Sequence, residues 1–432
     1  MTITVDGVTV VDSVAAALGY IAKVCFKTGP PKRLGVELEW TVHHVDDPAR
    51  PLDLSLLVAA LSQHAPRTLV PASPMTPLPG GSLVTVEPGG QVELSAPPVS
   101  SPDHLHSVVE ADTSTLSELL AARGLGLGHD GIDPHRPPAS ALRTPRYAAM
   151  ADAFSPYRPH GQVMMTSTAG LQVCLDAGTL ERVAERWRAV HALGPPLLAA
   201  FANSRRHAGA DTGWSSARMR AWLGLDPRRT AAVWRPDAVD QNTAAGAAAA
   251  WARYALAAPL LCVRRADGNW AAPPETTFAD WIDGALPAQP THDDLAYHLS
   301  TLFPPVRPRG YLEVRYFDAQ PPGEWLAPVA VLETLLADPS IIAEAERRAA
   351  PASGRWEAAA RCGVADPGVA VAARGLLRLA LDNLHARWPA RAALAGIIRR
   401  RLAQAGQRTH ATKRAQPAQP AQTADPTAGG AQ

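Results

Sequence analysis

Acidic side chains stand on segments whose alternation reads as β-strand. In Leu34-Gly35-Val36-Glu37-Leu38-Glu39-Trp40-Thr41-Val42 the pattern repeats every two residues, which places Glu37, Glu39 and Thr41 on one face. The two glutamates then lie roughly 7 Å apart along the strand. Like charges at that spacing cost free energy unless cations sit between them. Glu87 and Glu93 flank Pro88-Gly89-Gly90, a turn that can fold them together as a hairpin. Farther on, Tyr311-Leu312-Glu313-Val314-Arg315-Tyr316 puts Glu313 and Arg315 on one strand face. Hard oxygen ligands suit Mg²⁺, and Mg²⁺ with an arginine is the equipment of phosphoryl transfer. Each pattern also has a plainer reading: Glu-x-Glu as a solvated sheet face, Glu313 with Arg315 as a simple ion pair. The chain lacks G-x-x-x-x-G-K-[ST], so a P-loop is not expected.

These strands need elements to hold them. Helices are expected over residues 10–26 (capped at Asp12 or Ser13), 52–65, 103–123 and 178–203, and again after residue 325. Leu377, Leu381 and Leu384 form a core-facing stripe. Further strands are expected at Ser82 to Glu87, Gln91 to Ser95, Leu125 to Gly128 and residues 162–176. The whole reads as α+β, strands scattered along the chain assembling one sheet. Residues after about 404 are rich in Ala, Gln, Pro and Thr, which predicts a disordered tail over 404–432 behind a single domain over 1–403.

Composition restricts the function. The 41 Lys and Arg balance 40 Asp and Glu for a net charge of +1, so no global charge favours nucleic acid or an anionic membrane. Cys25, Cys174, Cys262 and Cys362 lie far apart and form no C-x-x-C pair, which argues against a disulfide framework and fits a reducing cytosol. Asp6 and Asp12 do not suit a signal peptide, and no charge-free stretch of 18 apolar residues exists, so a cytoplasmic chain without a membrane span is expected. Oligomeric state leaves no readable signal.

Taken in order, the motifs resemble the plant-type glutamate–cysteine ligases, and within them the actinobacterial branch that serves ergothioneine synthesis. The resemblance is carried by Gly35-Val36-Glu37-Leu38-Glu39, Glu87-Pro88-Gly89-Gly90-Gln91-Val92-Glu93-Leu94-Ser95, Thr168 with Leu171-Gln172-Val173-Cys174-Leu175-Asp176, Phe201-Ala202-Asn203-Ser204, Arg218 with Trp222, Asp226 and Arg229, Tyr254-Ala255-Leu256 with Pro259, His298 through Arg307, and Tyr311 through Arg315. It implies a glutamine-synthetase-like catalytic domain with a curved antiparallel sheet and flanking helices. It implies two or three Mg²⁺ ions held around Glu37, Glu39, Glu87, Glu93, Gln172 and Glu313, with ATP as co-substrate. Arg315 is the implied arginine at the transferred phosphate, catalytic together with Glu313. Arg218 is implied to hold the glutamate α-carboxylate, with Thr168, Met164, Met165 and Trp222 lining the amino-acid pocket. The implied reaction joins the γ-carboxylate of L-glutamate to the amine of L-cysteine through γ-glutamyl phosphate. A ligase using another amine, a guanidino or amino-group kinase on the same fold, and a non-catalytic binding protein are the alternatives. The regulatory cysteine pairs of the plant relatives have no counterpart here.

Other clusters read as bystanders. His129, Asp130, Asp133 and His135 sit among Gly and Pro and read as a surface loop. His43-His44 reads as an exposed strand end, Cys174 as a small buried thiol, Trp214 as packing, and Arg399-Arg400-Arg401 as a solvated helix end.

Overall fold

The computed structural model describes residues 4–5, 8–384 and 388–414. Seven strands form the main sheet: β1 (Leu34–His44), β2 (Leu83–Val86), β3 (Val92–Ser95), β4 (Leu125–Gly128), β5 (Gly170–Leu175), β6 (Val306–Pro308) and β7 (Leu312–Asp318). Their order is β6-β7-β5-β1-β3-β2, all neighbours antiparallel, with β4 pairing the far end of β1. The expected α+β architecture with one antiparallel sheet is present.

β1 lies in the middle of the sheet because its inward residues Val36, Leu38, Trp40 and Val42 are all apolar and buried. Helix Val14–Cys25 starts where Ser13 caps it, its Oγ accepting the Ala16 N–H at 3.2 Å. Helix Pro102–Ala121 buries Leu105, Val109, Leu116 and Leu120 at helical spacing. At the C-terminal end come helices Leu326–Leu335, Pro339–Ala349, Trp356–Cys362, Pro367–Asn383 and Arg391–Arg414, and the first, second and last of these pack on Pro367–Asn383.

Four expectations need correction. Residues 162–176 are not one strand: His160–Ser167 is helical, and the strand begins at Gly170. A short apolar run such as Val163-Met164-Met165 fits helix and strand equally well by periodicity, and tertiary contacts decide. His44 is buried, not an exposed end, and its Nε2 meets the Pro51 carbonyl at 3.2 Å. Arg399-Arg400-Arg401 lies inside a helix, where Arg400 and Arg401 pair with Glu324 at 2.8 and 2.9 Å. The boundary expected at residue 404 falls within that same helix, and residues 415–432 lie outside the described residues. Leu377 and Leu384 are buried, Leu381 only partly.

Candidate active site

Sheet register brings the acidic residues into rows. Glu37 on β1 stands between Ser95 on β3 and Gln172 on β5. Two residues along, Glu39 stands opposite Glu93, which in turn faces Thr85 on β2. Glu87 follows at the end of the β2–β3 hairpin. A cavity of about 410 Å³ opens over this face, lined by Glu37, Glu39, Glu87, Glu93, Gln172, Arg315, Met164, Met165, Thr168 and Trp222. Residues far apart in the chain thus meet in one place.

The carboxylates differ in how they are satisfied. Glu39 accepts the Gly170 N–H at 2.7 Å and the Gln172 Nε2 at 2.9 Å. Glu93 uses one oxygen, accepting from Thr85 Oγ1 at 2.8 Å and Ser95 Oγ at 3.2 Å. The side chains of Glu37 and Glu87 make no hydrogen bond among the described residues. Burial first, and neighbouring carboxylates second, push the pKa values of Glu37, Glu87 and Glu93 upward, with Glu87 at about 7. Ionising this wall is therefore disfavoured unless a cation is there to offset the charge. Among the described residues no three His, Cys, Asp or Glu side chains close on one point tightly enough to hold a metal unaided. Magnesium asks for no such cage, since it takes one or two carboxylates and completes its shell with phosphate and water. Glu37, Glu87 and the free oxygen of Glu93 fit that demand.

Arginines on other elements face the carboxylates. Arg315 and Tyr316 sit in a β-bulge of β7, between the pairs Val314–Val173 and Phe317–Leu171. Bulges re-aim side chains, and here Arg315 Nη1 reaches Gln172 Oε1 at 2.5 Å and Glu313 Oε2 at 3.0 Å. Its Nε has no hydrogen-bond partner among the described residues. Arg307 and Arg309 come from β6 and the β6–β7 turn. Arg146, near the start of helix Pro145–Ala153, donates to Ser300 at 3.3–3.4 Å and lies over the Tyr297 ring at 5.2 Å. No role for Arg146, Arg307 or Arg309 was legible from the sequence. A sign of Arg307 was its alternation with Arg309 on the approach to Glu313; Arg146 carried none.

Two expected site residues are placed differently. Glu313 is 0% exposed and does not line the cavity. Its Oε2 accepts from Arg307 and Arg315, and its Oε1 from Arg307 and Arg309. A carboxylate offers about four lone-pair positions, so Glu313 has none left for a metal ion in this arrangement. Burial alone would raise its pKa, but Arg307 and Arg315 overcome that and hold it well below the usual carboxylate range. Arg218 is 1% exposed and also lies behind the wall. Its Nη2 donates to the Arg315 carbonyl at 3.0 Å, and its guanidinium stands 4.9 Å from the centre of the Trp222 ring. It supports the bulge and Trp222 from beneath.

The segment expected as a surface loop is not wholly exposed, since Asp133 is buried. Asp133 accepts the His135 and Arg136 N–H groups and pairs with Arg136. Trp214 is partly buried under Arg220. Cys174 is half-buried beside Glu313, and all four cysteines are free.

Comparison with known proteins follows the same line. Residues 33–418 match the model of "Glutamate-cysteine ligase family 2(GCS2)". The chain belongs to glutamate–cysteine ligase family 2. Glutamate–cysteine ligase EgtA of Mycolicibacterium smegmatis is 41% identical over 383 residues, covering 87% of this chain and 85% of that protein. The protein of the same name from Mycobacterium tuberculosis is 40% identical over 382 residues, with 87% and 84% covered. A chloroplastic glutamate–cysteine ligase of Arabidopsis thaliana is 30% identical over 318 residues, covering 70% of this chain and 59% of that protein. In fold, the chain is similar to a glutamate–cysteine ligase of Francisella tularensis solved in complex with AMP, with a TM-score of 0.51 at 10% identity, covering 88% and 83% of the two chains. The family match spans every strand of the main sheet, and with it every acidic and basic residue of the cavity. Among the described residues no single helix is long and apolar enough to cross a membrane.

Proposed function

We propose that this protein ligates the γ-carboxylate of L-glutamate to the amine of L-cysteine, consuming ATP and releasing ADP and phosphate, as the γ-glutamylcysteine-forming step of ergothioneine synthesis in the cytoplasm. The observation that carries this reading is one cavity with uncompensated carboxylates on β1 and the β2–β3 hairpin and guanidinium groups from β6, β7 and helix Pro145–Ala153. The names of the EgtA relatives and the free cysteines support it.

Two or three Mg²⁺ ions would be held by Glu37, Glu39, Glu87 and Glu93, shared with ATP phosphates; bound there, they would neutralise and orient the triphosphate. Arg315, Arg307 and Arg309 supply fixed positive charge where the γ-phosphate leaves ATP, and their geometry is set before the substrate arrives. Glu313 holds those three arginines in place. The glutamate γ-carboxylate attacks the γ-phosphorus, the bond to the bridging oxygen breaks, ADP leaves and an acyl phosphate results. The cysteine amine then attacks the acyl carbon, phosphate leaves, and the ammonium proton is lost. Met164, Met165, Thr168 and Trp222 form the apolar wall that keeps water from the acyl phosphate. Arg146, which lines the cavity and has no carboxylate partner among the described residues, supplies positive charge for the amino-acid α-carboxylate, and Arg218 holds Trp222 in the pocket wall from beneath.

The test is phosphate release from ATP with Mg²⁺ and glutamate, adding one amine at a time. Stimulation by cysteine, with γ-glutamylcysteine seen by mass spectrometry, is the expected result. Stimulation by a different amine alone would overturn the assignment of cysteine, and a stable phosphorylated product would overturn the ligase reading.

A further inference from the structure

The turn that carries Glu87 does not touch the amino-acid wall by side-chain packing alone. Gln91, 3% exposed, closes it with its side-chain amide. Its Oε1 accepts the Gly89 N–H at 2.9 Å. Its Nε2 donates to the Thr168 carbonyl at 3.0 Å and to the Met165 carbonyl at 3.4 Å. The turn is also closed internally, by Glu87 N–H to the Gln91 carbonyl and Gly90 N–H to the Glu87 carbonyl, both at 2.8 Å. Gly89 presses so near helix His160–Ser167 that a Cβ there would stand 2.0 Å from the Thr166 carbonyl oxygen. On the far side, Thr168 Oγ1 donates to the Met164 carbonyl at 2.7 Å, and the chain runs on into Gly170 and Gln172, which both donate to Glu39.

We propose that Gln91 is a positioning residue that couples the two halves of the site, so that ordering of the Glu87–Glu93 hairpin by metal–nucleotide orders the Met164–Thr168 wall, and filling of the amino-acid pocket orders the hairpin. The inference rests on the ligase reading. The physical reason is that one amide spans both halves. It provides one acceptor to the hairpin and two donors to the wall, and no shorter or apolar side chain satisfies all three backbone groups. A purely structural glutamine would lower stability when replaced and leave the two ligands' affinities independent of its presence.

The experiment measures glutamate affinity by calorimetry with and without Mg²⁺ and a non-hydrolysable ATP analogue, in the wild-type protein, in Gln91→Met and in Gln91→Asn. The wild type should bind glutamate at least about fivefold more tightly with the nucleotide present, a coupling at the low end of the usual range. Gln91→Met, similar in size but without the amide, should bring that ratio close to one. Gln91→Asn should do the same should the methionine variant not fold, since it is one methylene too short to reach Thr168 from Gly89. An unchanged ratio in the variants, or a wild-type ratio of one, would overturn the coupling. A wild-type protein that releases no phosphate with ATP, glutamate and any amine would instead overturn the ligase reading beneath it.

Discussion

Glu313 and Arg307 face each other across the β6–β7 ladder and meet at two points, Nε to Oε2 at 2.6 Å and Nη2 to Oε1 at 3.2 Å. Both are buried, and the same carboxylate also holds Arg309 and Arg315. Removing one charge from such a group strands the others without a counter-ion. Glu313→Gln is therefore expected to cost about 3–5 kcal/mol of stability, and to lower kcat by about 10²–10³ as the arginines lose their fixed positions. Denaturant unfolding and turnover, measured together, check both parts. A variant with wild-type stability would contradict the buried-anchor assignment.

The carboxylate wall makes cation binding depend on pH. Between its ordinary value of 4.5 and about 7, Glu87 binds a proton in the folded, cation-free protein but not in the unfolded chain. Folding stability from this group therefore falls as pH rises through that window. A divalent cation relieves the repulsion only once the proton has left. The rise in Tm on adding Mg²⁺ should be larger at pH 8 than at pH 6, and Glu87→Gln should shrink the difference. An equal Mg²⁺ shift at both pH values would count against the wall as a cation site.

Two neighbouring glycines should behave differently. At Gly89 a Cβ meets backbone at 2.0 Å, whereas at Gly90 the nearest obstacle is the end of the Leu52 side chain, with φ at +85°. Gly90→Ala should cost roughly 1–2 kcal/mol for its left-handed backbone and retain turnover. Gly89→Ala should move the turn and abolish turnover even where the protein still folds. Comparable activity in the two would show that the close approach to Thr166 does not hold Glu87.

Away from the site, His191 and His298 are buried, and burial lowers each to about 4. Their ordinary value is 6.5, so the unfolded chain takes up protons that the folded one refuses between pH 6.5 and 4. Their contribution to stability is full above 6.5 and is lost as pH falls toward 4, about 3 kcal/mol for each. Unfolding free energies from pH 7 to 4.5 should fall with a slope near two protons from this pair. Substituting either histidine should reduce the slope by about one.

Cysteine reactivity gives a simple check on packing. Cys362 is exposed, while burial raises Cys25 to about 11 and Cys174 well above its usual value. Alkylation at neutral pH should modify Cys362 first and leave Cys25 and Cys174 for the unfolded protein.

Much of the site could be read in the sequence because strands have a period of two. That period alone put Glu37 with Glu39 and Glu313 with Arg315, and Pro88-Gly89-Gly90 marked the hairpin that joins Glu87 to Glu93. The ordered motifs indicated the family. Four matters were decided only by the tertiary structure. Met164 and Met165 became helical because a short apolar run carries no period of its own, and the contacts of Gln91 and Thr168 fix its form. Arg146 entered the cavity through the packing of its helix, which no local pattern encodes. Arg218 and Glu313 were drawn beneath the surface because a buried charge must find partners, and its partners, Arg307 and Arg309 for Glu313 and the Arg315 carbonyl for Arg218, are set by strand register and a bulge. Sequence spacing determines which side of a strand a residue leaves; which lone pairs are already taken when it arrives depends on the neighbouring strands.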